Sequence, residues 1–165
     1  MPEPVTITYL EQTSPTDHIP KYSSDPLFTV KKLGVPLPSL NRYFYTEVGR
    51  DWRWTDKLNW TNGDWKQHAA KVMTFVGYYD GTPVGYYELM PEGDNVELAY
   101  FGLLPEFVGK GLGGALLTSA INEAWALEPK RVWVHTCSLD HPSALANYRA
   151  RGFKLFKEDA HPQTS

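Results

Sequence analysis

Hydrophobic and polar residues alternate along some stretches of the N-terminal half and recur at helical spacing along others. A period of two indicates a strand with one buried face, whereas apolar residues three and four positions apart indicate an amphipathic helix. Pro38 is also typical of a helix start. In chain order the pattern predicts a strand over Thr6 to Glu11, a Pro-, Ser- and Asp-rich loop over residues 14–26, a short strand over Phe28 to Leu33, a helix over Pro38 to Val48, an ambiguous stretch over residues 50–60, and a helix over Gly63 to Lys71 capped by Asn62.

From residue 73 onward the period changes to that of strands separated by turns and helices. Asp80-Gly81 between two apolar runs is typical of a hairpin turn. Gly102 inside a strand indicates a bulge or a close approach of another segment. The predicted elements are strands over Met73 to Tyr79, Pro83 to Met90 and Asn95 to Leu103, a helix ending near Leu127, a strand over Arg131 to Thr136, a helix over Ser143 to Arg151 stopped by Gly152, and a strand over Phe153 to Phe156. This order predicts a mixed α/β sheet in one domain.

The segment between the third of these strands and the following helix carries the strongest chemical signal. Four glycines fall within six positions, from Gly109 to Gly114, and helical spacing of apolar residues begins at Leu112. The glycines therefore lie at a helix N-terminus, where unpaired N–H groups and the helix dipole attract anions. Lys110 adds a positive charge. The segment from Val108 to Gly114 is thus predicted to cradle a pyrophosphate with its backbone N–H groups.

Composition excludes several classes of protein. The 165 residues suit one domain, and 42% hydrophobic with 21% charged residues is typical of a folded globular chain. A formal net charge of −3 argues against a surface that coats nucleic acid. The single cysteine, Cys137, allows neither an intrachain disulfide nor a cysteine metal cluster, and no metal is expected. With no long apolar run and no start typical of a signal peptide, the expectation is a cytoplasmic protein without a membrane partner.

Three segments in the same order resemble the GNAT superfamily, the GCN5-related N-acetyltransferases. Val96 to Leu104 resembles the central strand of that family, and Val108 to Gly113 resembles its Q/R-x-x-G-x-G/A loop. Pro142 to Phe153 resembles its helix-and-Tyr segment ending in Gly-Phe. The resemblance covers about residues 73–156. It implies an α/β (α+β) fold, in which helices flank a mixed, mostly antiparallel central sheet in a single domain.

The resemblance also implies acetyl-CoA as the cofactor of an N-acetyltransferase. Backbone groups near Leu103 would pair with the pantetheine arm, and one N–H would polarise the thioester carbonyl. Val108 stands where the family usually has Gln or Arg, but that position acts mainly through its backbone, so binding is expected to survive. The implied cofactor-binding residues are Leu103, Leu104, Val108, Gly109, Lys110, Gly111, Leu112, Gly113, Gly114 and, at the helix-and-Tyr segment, Asn147 and Arg151.

Glu97 and Tyr148 are the candidate catalytic residues. Glu97 precedes Gly111 by 14 positions, which resembles the spacing of the catalytic glutamate in histone-acetylating members. A base is useful because a free alkylammonium has a pKa of about 10.4. Tyr148 lies where many members place a tyrosine close to the thioester sulfur, so it is the candidate general acid. The alternatives are an ion-paired strand glutamate and a core aromatic, and strand alternation predicts that Glu97, Ala99 and Phe101 share one face.

His135, Cys137, Asp140 and His141 cluster after a strand. A Cys–His pair is compatible with a thiol nucleophile, but a strand end followed by a loop explains the cluster better, with Asp140 or Ser143 capping the next helix. His135 is the more plausible functional residue, as an auxiliary base that competes with Glu97 for the role of main base.

An aromatic-rich segment, residues 43–65, is predicted either to line an acceptor pocket or to form a packing face. Its acids Asp51, Asp56 and Asp64 would attract a cationic amine, whereas Arg42, Arg50 and Arg53 would favour a carboxylate on the acceptor. The candidate substrate residues are Tyr45, Trp52, Trp54 and, from the later cluster, His135.

Other functions compete with this interpretation. Gly109-x-Gly111-x-x-Gly114 matches the dinucleotide fingerprint, but the preceding loop is long and no acid ends the next strand. A P-loop is excluded because no Lys-Ser/Thr follows the glycines. A non-catalytic acyl-CoA sensor would keep the cradle while Glu97 and Tyr148 only pack.

The leading hypothesis is therefore an acetyl-CoA-dependent acyltransferase. It acetylates a primary amine by direct transfer, with Glu97 as base and Tyr148 as acid. The acceptor is expected to be a small molecule, with a protein lysine or N-terminus second, and the family resemblance adds a possible homodimer. Within the single domain, 1–165, residues 1–72 form the acceptor-side part and residues 73–157 the cofactor-binding core.

Overall fold

A seven-stranded sheet with helices on both faces organises the chain. The computed structural model describes residues 4–52, 54–55 and 57–162. Within these ranges the strands are β1 (Pro4–Gln12), β2 (Phe28–Lys32), β3 (Met73–Tyr79), β4 (Thr82–Glu92), β5 (Asn95–Leu103), β6 (Arg131–Cys137) and β7 (Lys154–Pro162), and the helices are α1 (Pro38–Gly49), α2 (Asn62–Lys71), α3 (Gly113–Ala126) and α4 (Ala144–Ala150).

The strand order is β2-β3-β4-β5-β6-β1-β7, and neighbours are antiparallel except for β5 and β6. This confirms the mixed, mostly antiparallel sheet. The parallel ladder runs over only three pairs among the described residues, from Asn95–Arg131 to Glu97–Trp133. β5 and β6 are therefore paired at one end of the sheet only. β1 lies between β6 and β7 and pairs with both.

Consecutive residues of the strands pack into two separate cores, because side chains alternate between the faces of a sheet. Tyr87 contributes to a core with α3 and α4, in which Leu116 and Tyr148 are buried. Its neighbour Tyr86 faces α1 and packs with Phe44 and Val48. α2 joins this second face through His68, which contacts Glu88 of β4 at 2.5 Å.

A β-bulge in β5 changes which residues share a face. Glu88 of β4 is opposite Tyr100 while Leu89 is opposite Leu98, so Ala99 is the extra residue. Beyond the bulge the alternation is reversed. Phe101 packs into the same core as Leu98, and Tyr100 packs with the α1 core. The prediction that Phe101 shares a face with Glu97 is therefore wrong, and Tyr100 takes that place.

Gly102, where sequence analysis allowed a bulge or a close approach, is a site of close approach. It pairs regularly with Tyr86, and a Cβ at this position would overlap Cγ1 of Val48 on α1. The glycine therefore lets α1 lie directly on β5.

Several element ends differ from the prediction, and the start of α2 and the end of β7 show why. Thr61, rather than Asn62, caps α2 through a capping box with Asp64, since Thr61 Oγ1 accepts from the Asp64 N–H at 3.1 Å and Asp64 Oδ2 accepts from the Thr61 N–H at 2.9 Å. β7 continues past Phe156 to Pro162, because its pairing with β1 supplies partners that no local pattern reveals. No helix in the described ranges is long and apolar enough to cross a membrane.

Gly102→Ala tests the contact between α1 and β5. The added methyl group overlaps Val48, so we expect a loss of about 1–3 kcal/mol in the free energy of unfolding. Val48→Ala removes the overlapping group, and the double variant should be more stable than the sum of the two single effects predicts. Urea unfolding of the four chains, followed by circular dichroism, measures this coupling. Strict additivity would contradict the contact.

Candidate functional site

A cleft of about 480 Å³ opens beside the part of β5 that β6 leaves unpaired. We call it the central cleft. It is bounded by the end of β5, the glycine loop, the start of α3, the β6–α4 loop, α4 and the segment after α1. Its lining comprises Lys21, Val48, Trp52, Trp54, Phe101, Gly102, Leu103, Val108, Gly109, Gly111, Gly113, Gly114, Asp140, His141, Ser143, Ala144, Asn147 and Tyr148.

The β5 wall of the cleft presents backbone groups. The N–H of Leu104 donates to the Val84 carbonyl at 2.8 Å, so Leu104 is hydrogen-bonded to β4. Along an antiparallel ladder, hydrogen-bonded pairs alternate with pairs that exchange no hydrogen bond. Leu103 and Phe101 therefore direct their N–H and C=O groups away from β4, toward the side of β5 on which β6 is no longer paired with it. Leu104 itself does not line the cleft, since its side chain is buried in the α1 core. Leu103 is thus the better placed of the two predicted residues.

The glycine loop turns sharply before α3. Gly109 and Gly111 have φ values of +82° and +80°, a conformation that glycine adopts without steric cost. Leu112 is the N-cap residue of α3 and is buried, and its side chain has no acceptor for the N–H groups of the first turn. An uncapped helix start lined by Gly113 and Gly114 is suited to bind an anion. Lys110 is exposed beside it.

Two cationic side chains lie against the same helix start. A Cβ on Gly114 would lie 2.8 Å from Cδ of Lys21 and 3.2 Å from Nη1 of Arg151. Nε and Nη1 of Arg151 are buried, and neither has a hydrogen-bond partner among the described residues. A cation at the positive end of a helix dipole is unfavourable unless an anion bridges them. The arrangement therefore fits a phosphate group.

His18 lies close to Arg151 and does not add to its positive charge. Burial and the neighbouring Arg151 charge lower the pKa of His18, so this ring is neutral where Arg151 is charged. The Arg151 carbonyl accepts from Gln12 Nε2 and from the Ile19 N–H, both at 2.9 Å. These bonds tie the loop that carries Lys21 to the end of α4.

α4 brings Asn147 and Tyr148 to the cleft. Asn147 Nδ2 donates to the Gly113 carbonyl at 3.3 Å and so connects α4 to α3. Tyr148 is buried between Phe101 and Phe153, with ring centroids 6.1 and 6.0 Å away. Burial first, and then the charge of Asp140, raises the pKa of Tyr148 above its usual value. Tyr148 is therefore both a core aromatic and a protonated phenol that lines the cleft.

Asp140 connects opposite walls of the cleft. Its Oδ1 accepts from Trp54 Nε1 at 2.9 Å, and its Oδ2 accepts from Thr136 Oγ1 at 2.6 Å and from the Cys137 N–H at 3.0 Å. Of the two residues that sequence analysis offered as the cap of α4, Asp140 is not the cap. Ser143 is the N-cap residue, but its side chain makes no capping bond. Asp140 instead fixes Trp54, which comes from the segment after α1.

Glu97 lies at the last pair of the β5–β6 ladder, where the two strands begin to separate. Its Oε2 is 3.3 Å from Nδ1 of His135, and its side chain is 13% exposed. His135 is 46% exposed and packs against Tyr9 and Trp133. The structure thus brings the two candidate bases together, and neither of them lines the central cleft.

The aromatic residues of segment 43–65 lie partly in the lining of the central cleft and partly in the packing behind that lining. Trp52 and Trp54 line the cleft, and the Trp52 ring lies 4.7 Å from the ring of His141. Tyr45 does not line it but packs against Trp54, with ring centroids 5.7 Å apart.

The described charged residues in and beside this segment do not line the central cleft. Arg50 pairs with Glu47 at 3.1 Å and Asp64 belongs to the α2 cap. Arg42 and Asp51 are exposed. Arg53 and Asp56 lie outside the described residues.

Cys137 is not set up as a nucleophile. Burial and Asp140 raise the pKa of its thiol, which disfavours the reactive thiolate. In the described ranges no group of three or more His, Cys, Asp or Glu side chains could hold a metal ion.

Lys21 was missed by the sequence analysis. A single lysine in an irregular loop carries no signal, and only tertiary contacts place it. Its backbone N–H donates to Thr118 Oγ1 on α3 at 2.8 Å, which holds the loop across the helix.

The family model of the acetyltransferase (GNAT) family matches residues 38–153. The chain belongs to this family. Solved structures share the fold at low sequence identity. A GCN5-related N-acetyltransferase from Sphaerobacter thermophilus has a TM-score of 0.70 at 14% identity, over 96% of this chain and 50% of that one. A GNAT family acetyltransferase from Elizabethkingia anophelis with acetyl-CoA bound has a TM-score of 0.60 at 19% identity, over 81% and 80%.

Several other relatives are longer than this chain. A tandem GNAT protein from the clavulanic acid biosynthesis pathway has a TM-score of 0.61 at 15% identity, and this chain spans 55% of it. A functionally unknown conserved protein from Staphylococcus epidermidis is spanned over 61% of its length. No curated protein matches the chain in sequence.

The dinucleotide interpretation is wrong. That fold requires a mostly parallel, doubly wound sheet, whereas here only β5 and β6 are parallel among the described pairs.

Proposed function

We propose that the chain is an acetyl-CoA-dependent N-acetyltransferase that acetylates a primary amine, with a small molecule as acceptor. The observation that carries this proposal is the pair of buried, unpartnered Arg151 nitrogens beside the uncapped start of α3, at one end of a cleft bounded by the open edge of β5. An anion bound at the start of α3 would pair with the Arg151 nitrogens. An extended polar ligand would pair with the open edge of β5. Residues 73–157 supply most of this cofactor side, to which Lys21 adds a charge, and residues 1–72 supply most of the acceptor side.

The glycine loop, Lys21 and Arg151 would hold the pyrophosphate of coenzyme A, and Leu103 would pair with its extended arm. Bound acetyl-CoA supplies an activated thioester whose carbonyl carbon accepts an amine. The N–H of Leu103 points toward the cleft, so it is placed to donate to that carbonyl oxygen as charge develops there.

Glu97 would take the proton from the acceptor ammonium, directly or through a water, at the point where β5 and β6 separate. His135, 3.3 Å away, is placed to orient Glu97 or to share the proton. A phenol is protonated at neutral pH, and burial raises the pKa of Tyr148 further, so its hydroxyl keeps its proton as a hydrogen-bond donor. Its hydroxyl would therefore donate toward the departing sulfur. Direct transfer agrees with the raised pKa of Cys137, which leaves no activated thiol for a covalent intermediate.

Calorimetric titration with acetyl-CoA tests the cofactor. We expect about one site per chain, with no binding of NADH or NADPH. Arg151→Met should weaken binding by tenfold or more, because a buried charge-assisted bond to phosphate is lost. Arg149→Met, which removes an exposed arginine of the same helix, is the matched control. Equal affinities for both variants, or binding of a dinucleotide alone, would contradict the proposal.

Glu97→Gln tests the base. We expect kcat to fall by about 100-fold or more, because general-base assistance contributes factors of that size. The loss should be largest at low pH, where more of the acceptor is protonated, and acetyl-CoA affinity should be unchanged. Rates of thiol release across pH, compared with His135→Gln, measure this. A normal rate for Glu97→Gln beside a slow His135→Gln would assign the base to His135.

Tyr148→Phe tests the acid. We expect kcat to fall while acetyl-CoA affinity stays nearly unchanged, because the variant keeps the buried ring and loses only the hydroxyl. Single-turnover acetyl transfer and calorimetry separate the two effects. A large loss of affinity with normal turnover would make Tyr148 a packing residue. Cofactor binding without turnover on any amine would favour the acyl-CoA sensor.

A further inference from the structure

Six rings pack against one another between α1, α2 and β5, next to the central cleft. Tyr45, Trp65 and His68 are buried and form the base of this cluster, and Trp54, Trp60 and Tyr100 are partly exposed. Their centroids lie 4.9 to 6.2 Å apart, as for Trp60–Trp65 at 4.9 Å and His68–Tyr100 at 6.2 Å. We call this cluster the aromatic cage.

The cage already holds a cation. Nζ of Lys57 lies 4.4 Å from the centroid of the Trp60 ring and 5.2 Å from that of Tyr100. The faces of such rings carry partial negative charge and attract an ammonium group within about 6 Å. The backbone of Lys57 is fixed from below, because its N–H donates to the Tyr45 hydroxyl at 3.1 Å.

The floor of the cage does not oppose a cation. His68, which contacts Trp60, Trp65 and Tyr100 edge-on, is bound to the buried carboxylate of Glu88. Glu88 also accepts from Asn41 Nδ2 at 2.7 Å. The Glu88 carboxyl group therefore lies beneath the rings, where its oxygens can attract a cation held above them.

The cage is next to the proposed site of reaction. Because of the bulge at Ala99, Tyr100 lies on the same face of β5 as Glu97. Same-face neighbours in a strand are about 7 Å apart. Trp54 belongs to both places, since it lines the cleft and packs on Tyr100 with centroids 5.3 Å apart.

An amine bound in the cage would not itself be the reacting amine. Aromatic faces stabilise the charged form, which opposes the deprotonation that acetyl transfer needs. A group held over Tyr100 is instead suited to be a second ammonium group of the acceptor, which stays charged while the acceptor's reacting amine reaches Glu97.

We propose that the aromatic cage binds a second cationic group of the acceptor, and that the Lys57 ammonium occupies this subsite until the acceptor displaces it. The inference rests on the proposed function for the identity of the reaction. It deepens that proposal by naming the acceptor class as a primary amine that carries another alkylammonium group. As a tethered competitor, Lys57 has a high effective concentration and lowers the apparent affinity for free cations.

Cation binding without catalysis tests the cage. The probes are choline and its uncharged isostere 3,3-dimethylbutan-1-ol, titrated calorimetrically into wild-type protein and into Lys57→Met. We expect Lys57→Met to bind choline about tenfold more tightly than the wild type, a difference of about 1.4 kcal/mol. The isostere should show no such gain. Lys66→Met, which removes an exposed lysine of α2 outside the cage, should behave as the wild type does.

Two further variants serve as controls for this test. Lys57→Gln repeats the test with a polar replacement, and adding Trp60→Leu to Lys57→Met should abolish the gain. Near-UV circular dichroism verifies that each variant is folded. No gain for choline, or an equal gain for the uncharged isostere, would overturn the proposal. Acetyl-CoA titration of the same variants reports separately on the cofactor site. A failure of the cage proposal would change only the choline results, whereas a failure of the proposed function would show in the acetyl-CoA titration.

Discussion

The separation of β5 from β6 after three ladder pairs is the constraint on which the rest of the site depends. If the parallel ladder continued past Glu97, it would use the backbone groups of Phe101 and Leu103 and close the space between the strands. Instead, α3 and α4 meet over the gap through Asn147 and Gly113. Asp140 and Trp54 join its opposite walls. The cleft is therefore a consequence of incomplete strand pairing, stabilised by side chains that reach across it.

Groups that attract anions and groups that attract cations lie in different parts of this gap. Lys21 and Arg151 stand at the start of α3, where the helix dipole adds to their positive potential. The aromatic cage and the Glu97 carboxylate lie on the α1 side of β5 and favour cations. In the proposed function, the anionic cofactor and a cationic acceptor would therefore approach from different ends of the gap. Electrostatic attraction would orient both before any specific contact is made.

Local patterns predicted most of the elements, and their failures have physical causes. The hairpin turn at Asp80-Gly81 and the end of α4 before Gly152 require backbone conformations with positive φ. The residue types at these positions indicate such conformations in the sequence. The bulge at Ala99 leaves no local signal, because it is set by the register with β4. That one residue decides whether Phe101 or Tyr100 joins Glu97 on a face.

Part of the candidate site has a signal in the sequence. The glycine loop and α3 have a sequence signature, and so do Tyr148 and Asn147 through the family segment. Lys21, Asp140 as a bridge and Lys57 have none, because each acts through contacts with segments 86 to 97 positions away or through rings gathered by tertiary packing. Irregular segments carry no period from which such contacts follow.

The position of β1 has a consequence for how the molecule is assembled. β1 precedes both of its partners in the chain, yet it lies between β6 and β7 and pairs with residues 132–137 and 154–162. During translation it must wait, unpaired, until both partners have emerged. Such distant pairings raise the contact order and slow folding. The half of the sheet formed by β2 to β5 can form earlier, so the molecule is expected to fold from that half and to complete the far edge last.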